Sequence, residues 1–320
     1  MSAIKNFYNK LSKKQKIIIA ILIAVIICLS FIKTYFPGSG LSSWRTDLNL
    51  VNSDGKNNPA FEQDLTVYFF DVGQGDCSLI KTKEKNVLID AGNSTDSEKI
   101  CKYILDSGVE TVDYLFLTHP HSDHIGAASD IIDRFEVKNI VIPLIPQSLE
   151  PSDPIYFSLM KKIKERIIPL YVTSPDEKYS LGEAQLTVLG PIRESDSLNN
   201  MSLVLRLDYG ETSFLFTGDC ENEEELSLLN NSSQLKCDVL KIGHHGSESS
   251  TSELFLSKVK PSVAVISCGL YNSYGHPDEI TLKRLSKYNV SCLRTDRNGN
   301  IVIGSDKQKL YCWFEKGKRS

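Results

Sequence analysis

All six histidines of this 320-residue chain fall inside three short motifs. They are Thr118-His119-Pro120-His121-Ser122-Asp123-His124, Gly243-His244-His245-Gly246-Ser247 and Tyr274-Gly275-His276-Pro277. Histidines scattered over a surface constrain little. Histidines gathered this way require a fold that brings three distant loops to one point, as a metal centre does. The first motif constrains most. It follows the apolar run 112–117, which reads as a buried strand, so the backbone entering the motif is fixed. Two imidazoles one residue apart can converge on one ion from a turn, and Asp123 and His124 then point toward a second. Two-metal hydrolases hold their ions about 3.5–4 Å apart. Imidazole and carboxylate suit zinc, and also manganese or iron. A plain polar loop after a strand would leave three histidines within six positions unexplained.

Charge divides the chain. Residues 1–36 carry six lysines and no acid, leaving 30 basic and 40 acidic residues and a formal charge of −10 in the remainder. An acidic body argues against a high-affinity, nonspecific nucleic-acid binder, which shows a basic face; a local basic groove stays open. The eight cysteines include no CxxC pair. Cys28 lies in the apolar N-terminal run, and Cys237, Cys268 and Cys312 lie in strand-like runs, so the cysteines read as buried free thiols rather than zinc ligands.

Residues 17–32 read IIIAILIAVIICLSFI. With residues 33–36 as an interfacial belt, segment 17–36 reaches the ~20 residues that span a bilayer. Five lysines precede the run. The positive-inside rule then puts the basic tail 1–16 in the cytoplasm and the body outside, as a single-pass signal anchor. A cleaved signal peptide competes with this reading, but the run is long for one and no small-x-small site follows it cleanly. Residues 37–60, rich in Gly, Ser, Asn and Asp, read as a flexible tether, and 61–320 as one catalytic domain.

Along that body, strands are expected at 65–71, 77–82, 86–90, 112–117, 137–142, 184–189, 202–207, 212–216, 238–242 and 263–267. Three more close the chain near 291–314. Helices are expected at 95–107, 125–134, 221–230, 251–258 and 278–287. Ser250-x-x-Glu253 reads as a capping box. The polar motifs fall at strand ends, where α/β folds place their sites.

The motifs are ordered. Phe70-Asp71-Val72-Gly73-Gln74-Gly75-Asp76, Leu88-Ile89-Asp90-Ala91-Gly92, the HxHxDH run, Phe216-Thr217-Gly218-Asp219, Lys241-Ile242-Gly243-His244-His245-Gly246-Ser247 and Tyr274-Gly275-His276-Pro277 follow one another. Together they resemble the metallo-β-lactamase superfamily, and within it the C-terminal domain of ComEC-type competence proteins, over about residues 64–305. The resemblance implies an α/β (α+β) fold, a four-layer αββα sandwich with two divalent ions, zinc or manganese, along one edge. It gives His119 and His121 to the first ion, Asp123 and His124 to the second, and Asp219 to both. The plain alternative for Asp219 is a helix cap. His276 is expected to complete the second site, and His244 and His245, with Asp123, to act on the scissile phosphate or leaving group. Neighbours on an extended segment face opposite ways, so the roles of that pair stay open.

One departure stands out. Where the superfamily supplies a third histidine to the first ion, this chain reads Ser197-Leu198-Asn199-Asn200-Met201-Ser202. Asn199, Asn200 or a water would replace it, and the asparagines could equally form a turn. Asn200 and Ser247 are expected to contact substrate. Asp76 and Asp90 are expected to orient ligands from behind, and Asp71 to shape a turn.

The chemistry implied is metal-assisted hydrolysis, with no Ser or Cys nucleophile paired to a base. The leading expectation is a membrane-anchored phosphodiesterase or nuclease that acts on DNA outside the cell. Alternatives are a hydrolase of another phosphodiester or ester, such as a wall-linked or small-molecule one, and a non-catalytic binding protein. β-Lactam hydrolysis fits less well, because the second and third motifs do not resemble those of lactamases. No protein partner follows from the sequence.

Overall fold

Strands that bury both faces need a layer on either side of their sheet. Most strands of this chain are of that kind. In the computed structural model, which describes residues 48–50, 59–231 and 234–315, they form two large sheets. The first has nine strands, in the order Leu48–Leu50, Leu310–Phe314, Ile301–Ser305, Leu65–Phe69, Ser78–Lys81, Asn86–Ile89, Tyr114–Phe116, Ile140–Pro143 and Leu170–Thr173. The second has seven, in the order Lys178–Leu181, Ala184–Gly190, Val204–Tyr209, Thr212–Phe216, Val239–Lys241, Val263–Ile266 and Ser291–Arg294.

The period-two alternation of side chains fills three cores. Val67, Ile80, Val87 and Phe116 face the second sheet and meet Leu186, Leu205, Phe214 and Phe216. Their neighbours Tyr68, Leu79, Leu88 and Leu115 face the other way. They pack against Ile100, Ile104, Ile131 and Leu159 of helices Ser97–Asp106, Ala128–Arg134 and Pro154–Glu165. On the far face of the second sheet, Val204, Leu215, Leu240 and Ala264 cover Leu228, Phe255 and Leu285 of helices Asn222–Asn231, Glu253–Val259 and Glu279–Lys287. The layers run helix, sheet, sheet, helix, the expected sandwich.

The topology places the motifs. Asn86–Ile89, Tyr114–Phe116 and Ile140–Pro143 are parallel neighbours, as are Thr212–Phe216, Val239–Lys241 and Val263–Ile266. Asp90, His119, Asp219 and His244 each lie just past the C-terminal end of one of these strands. Carboxyl ends of parallel strands are where α/β sheets collect ligands.

Several expectations change. The strand at 112–117 is two, Thr111–Val112 and Tyr114–Phe116, and the helix at 125–134 becomes Ser122–Ile125 and Ala128–Arg134. Helix Pro154–Glu165 and strands Leu170–Thr173 and Lys178–Leu181 occupy a stretch assigned no structure. Asp153 caps that helix, accepting from Ile155 N at 2.8 Å. The tether 37–60 is not wholly irregular: Leu48–Leu50 pairs in parallel with Leu310–Phe314, and Pro59–Phe61 forms a short 3₁₀ turn. The capping residue of helix Glu253–Val259 is Ser252, not Ser250, whose hydroxyl donates to Cys220 O. The seven cysteines among the described residues are free, and all but Cys292 are buried. The basic tail 1–16 and the apolar segment 17–36 lie outside the described residues. Among the described residues no helix is long and apolar enough to cross a membrane.

Candidate metal centre

The first histidine motif is held by its neighbours. Gly75 lies so close to the motif that a Cβ there would stand 2.4 Å from Asp123 O, so this position admits only glycine. Asp76 N donates to Asp123 O at 3.1 Å, and Ala91 N to His124 O. Asp90, buried at φ 59, takes three hydrogen bonds: from Thr118 N at 2.7 Å, Thr118 Oγ1 at 2.8 Å and His124 Nδ1 at 2.8 Å. That contact turns His124 Nε2 toward the opposite sheet, where it lies 3.2 Å from Asp219 Oδ1.

His119 is fixed in the same manner. Its Nδ1 stands 3.2 Å from both Thr118 Oγ1 and Ser202 Oγ, and Ser202 Oγ also accepts from Asp219 N at 3.0 Å. Its Nε2 is therefore directed at His121 Nδ1, 2.9 Å away, and at Asp219 Oδ2, 3.8 Å away. His245 donates from Nδ1 to Ser267 O at 3.0 Å and points Nε2 at Asp123 Oδ2, 3.1 Å away, with Asp219 Oδ2 at 3.6 Å. Imidazoles pinned through one nitrogen and free to ligate through the other are the usual arrangement behind a metal site.

Three groups of donors result: His119, His121 and Asp219; Asp123, His124 and His245; and Asp76, His124 and Asp219, each with ligand atoms within 4.8 Å of one another. Asp219 links the first group to the rest, and its carboxylate faces histidines rather than capping the following helix. His276 stands outside all three groups, with its ring 5.6 Å from that of His244. Beside Asp123 and His124, where His276 was expected, the structure has His245. Backbone geometry explains the exchange. His244 and His245 are not extended: both are left-handed, at φ 48 and 52, and Gly246 follows at φ 88. Such a tight turn aims His245 inward and leaves His244 at the wall of the cleft. Non-glycine residues in this region are uncommon and gather at functional sites.

The fit of a cation can be judged from the donors themselves. His124 Nε2 and Asp219 Oδ1 are buried and find no hydrogen-bond partner of acceptable geometry. Three buried carboxyl groups, Asp76, Asp90 and Asp219, and the half-buried Asp123 converge on this point or support it. Burial works against charge on His124, yet Asp219, Asp90 and Asp123 outweigh it and hold its pKa well above the ordinary value. The same contest, won by Asp219, Asp123 and Asp76, pushes His245 up to about 10. Burial and the neighbouring His124 hold His119 well below its usual value. Asp219, despite its burial, is held well below the carboxylate range by His124 and His245. Excess negative charge and imidazole lone pairs aimed at one point suit divalent cations, which would displace the bound protons.

Behind His245 stands Asp76, as expected, with a partner that the sequence did not reveal. Lys241, 2 % exposed, places Nζ 2.7 Å from Asp76 Oδ2 and donates to Ile242 O; Asp76 Oδ1 lies 3.3 Å from His245 Nδ1. Only burial identifies such a lysine, and an isolated Lys in an apolar strand run gives no sign of it. Glu221 was missed as well. Its Oε1 lies 3.2 Å from His244 Nδ1 and accepts from Ser249 Oγ at 2.7 Å, and the His244 contact is the main cause of its lowered pKa.

Neither Asn200 nor Ser247, both expected to contact substrate, lines the cleft. Asn200 is buried, its Oδ1 accepting from Glu221 N at 3.0 Å and its Nδ2 donating to Glu223, so it builds the start of helix Asn222–Asn231. Ser247 is buried, with its hydroxyl 3.0 Å from Ser249 Oγ. Asn199 does reach the site: its Nδ2 is 3.5 Å from the His244 ring, and its Oδ1 is buried without a partner. Of the donors, His121, Asp123, Asp219 and His245 line a cleft of about 430 Å³, together with Gln74, Leu198, Asn199, Tyr274 and His276.

The profile of the Metallo-beta-lactamase superfamily matches residues 70–270. Among curated proteins the chain is similar to ComE operon protein 3 of Bacillus subtilis, at 33% identity over 76% of this chain and 33% of that protein. It is also similar to competence protein ComA of Neisseria gonorrhoeae, at 28% identity over 88% of this chain and 38% of that one. The chain thus spans about a third of the length of these relatives. A solved structure with a similar fold is that of CmlA, a diiron beta-hydroxylase from Streptomyces venezuelae. It has a TM-score of 0.50 and 15% identity, over 72% of this chain and 53% of that one.

Proposed function

We propose, from the premise that the chain belongs to the metallo-beta-lactamase superfamily, that it is a metal-dependent phosphodiesterase whose substrate is DNA. The observation that carries this is the pair of donor groups joined through Asp219 on the floor of an open cleft. His119, His121 and Asp219 would hold one divalent cation, zinc or manganese. Asp123, His124 and His245 would hold a second, with Asp219 between them. Cations there would supply Lewis-acid charge and a water acidic enough to serve as nucleophile near neutral pH.

The protein's own groups do the rest. Asp90, Ser202 and Ser267 fix the ligand imidazoles, so no reorganisation is needed during reaction. Glu221 holds His244 through Nδ1, which leaves Nε2 to face the cleft and to hand a proton to the leaving oxygen. His276, at the edge of His244, completes that wall. The resemblance to ComEC-type competence proteins supports DNA over another phosphodiester. The apolar segment 17–36 supports a membrane anchor with the catalytic domain outside the cell.

The test is turnover by the full-length chain, with manganese or zinc, of bis(p-nitrophenyl) phosphate, single-stranded DNA and nitrocefin. Both phosphodiesters are expected to be cleaved, nitrocefin is not, and His121→Ala abolishes the activity. Diester turnover without DNA cleavage would leave a different phosphodiester as the substrate. Activity that survives His121→Ala would place the chemistry elsewhere.

A further inference from the structure

The rim of the cleft carries a cluster that hydrolysis itself does not use. Between Gly269 and His276, Leu270 is 63 %, Tyr271 95 % and Tyr274 70 % exposed. Tyr271 also sits in the left-handed region at φ 56, an outlier for a bulky side chain. The loop is braced. Asn272 donates from Nδ2 to the carbonyls of Gly269 and His276, at 2.9 and 2.6 Å, and accepts from His276 N at 3.0 Å. Gly269 N donates to Gln74 Oε1 at 3.1 Å. Aromatic rings are thus held out in water on a fixed frame.

These rings continue the site. Tyr274 lies nearly parallel to His276, at 14° and 5.9 Å between centroids, and His276 meets His244 edge-on at 5.6 Å. Meanwhile, among the described residues, no lysine or arginine lines the cleft. A run of phosphates beyond the scissile one finds no side-chain cation here, so affinity for a polymer has to come from other contacts. Aromatic faces supply it through stacking, which every nucleobase accepts. Bases inside a duplex are already stacked and offer no face.

We propose that Tyr274, with Tyr271 beyond it, is a base-stacking platform that selects single-stranded nucleic acid for the cleft. The proposal rests on the phosphodiesterase reading and names its substrate class. Stacking on one aromatic side chain is worth about ten-fold in affinity or more per base.

The test compares a single-stranded thymidine octamer, the same octamer made abasic, and a blunt duplex, using the full-length chain with manganese. Dissociation constants come from fluorescence anisotropy and KM from cleavage. The wild type is expected to prefer the thymidine octamer over both others by about ten-fold. Tyr274→Ala should bring that ratio toward one, and Tyr274→Phe should keep it. Tyr171→Ala, at an exposed tyrosine that does not line the cleft, serves as control and should keep it as well. A wild-type ratio near one, or a ratio unmoved by Tyr274→Ala, overturns the platform; phosphodiester turnover in that case leaves the catalytic reading standing. Neither binding nor turnover by the wild type overturns both.

Discussion

His245 Nε2 lies 3.1 Å from Asp123 Oδ2, joining residues 122 positions apart in loops that leave different sheets. A cation held by this pair would tie the two halves of the sandwich together. Cation binding should therefore stabilise the folded chain, by about 2.7 kcal/mol at a free concentration one hundred times the dissociation constant. Calorimetry of chelator-treated and manganese-loaded protein checks this, and Asp123→Ala should shrink the increment. Equal melting temperatures with and without cation would contradict it.

Asp90 acts through what it holds. It accepts from Thr118 twice and from His124 once, and it touches no cleft surface. Asp90→Asn should weaken cation affinity about 10–100-fold while the fold persists. Titration with a competing metal indicator measures the first, and circular dichroism the second. Unchanged affinity would show that Asp90 supports only the backbone of the turn.

Lys241 and Asp76 form a buried ion pair, 2 % and 4 % exposed. Removing one partner strands the other charge, so Lys241→Met should cost about 3–5 kcal/mol, and Lys241→Met with Asp76→Asn should recover most of it. Denaturant unfolding of the single and double variants reads this directly. Additive losses would mean that the two residues do not interact.

The sequence made these histidines conspicuous because ligands need particular side chains at particular strand ends. His119, His121, His124 and Asp219 could be located from apolar runs that stop at polar motifs. The sandwich itself was expected from the resemblance carried by the ordered motifs, and the alternation around Val67, Leu79 and Phe214 is how the structure fills it. What stayed hidden depends on backbone direction and depth. The left-handed turn at His244 and His245 decides which imidazole faces Asp123, and no local pattern announces it. Asn200 and Asn199 are indistinguishable in sequence, yet one is buried under helix Asn222–Asn231 and the other lines the cleft. Lys241 looks like the polar end of a strand until its burial is known. Helix Pro154–Glu165 lies between a proline-rich approach and an exposed strand, with only two fully buried positions, Leu159 and Ile163, to mark it.

Glu224 gives the fold a pH dependence of its own. Burial, helped by Glu223, pushes its carboxyl from 4.5 to about 7, against the Ile192 amide and Arg193. Because the folded value is the higher one, its stabilising neutral form is fully present below about 4.5 and is lost as pH rises through about 7. Glu224→Gln keeps an acceptor for Ile192 N and cannot ionise. It should raise stability at pH 8 by on the order of 1 kcal/mol after solvent screening, and change little at pH 4.5. Thermal melts at the two pH values decide this; an equal effect at both would show that charge is not the cause.

In the proposed centre two cations are held, the second by Asp123, His124 and His245, with His276 outside. Metal content per chain, measured by inductively coupled plasma mass spectrometry on manganese- or zinc-loaded protein, tests it most directly. About two ions are expected in the wild type and in His276→Ala, and about one in His245→Ala. Two ions retained in His245→Ala, with one lost in His276→Ala, would contradict it.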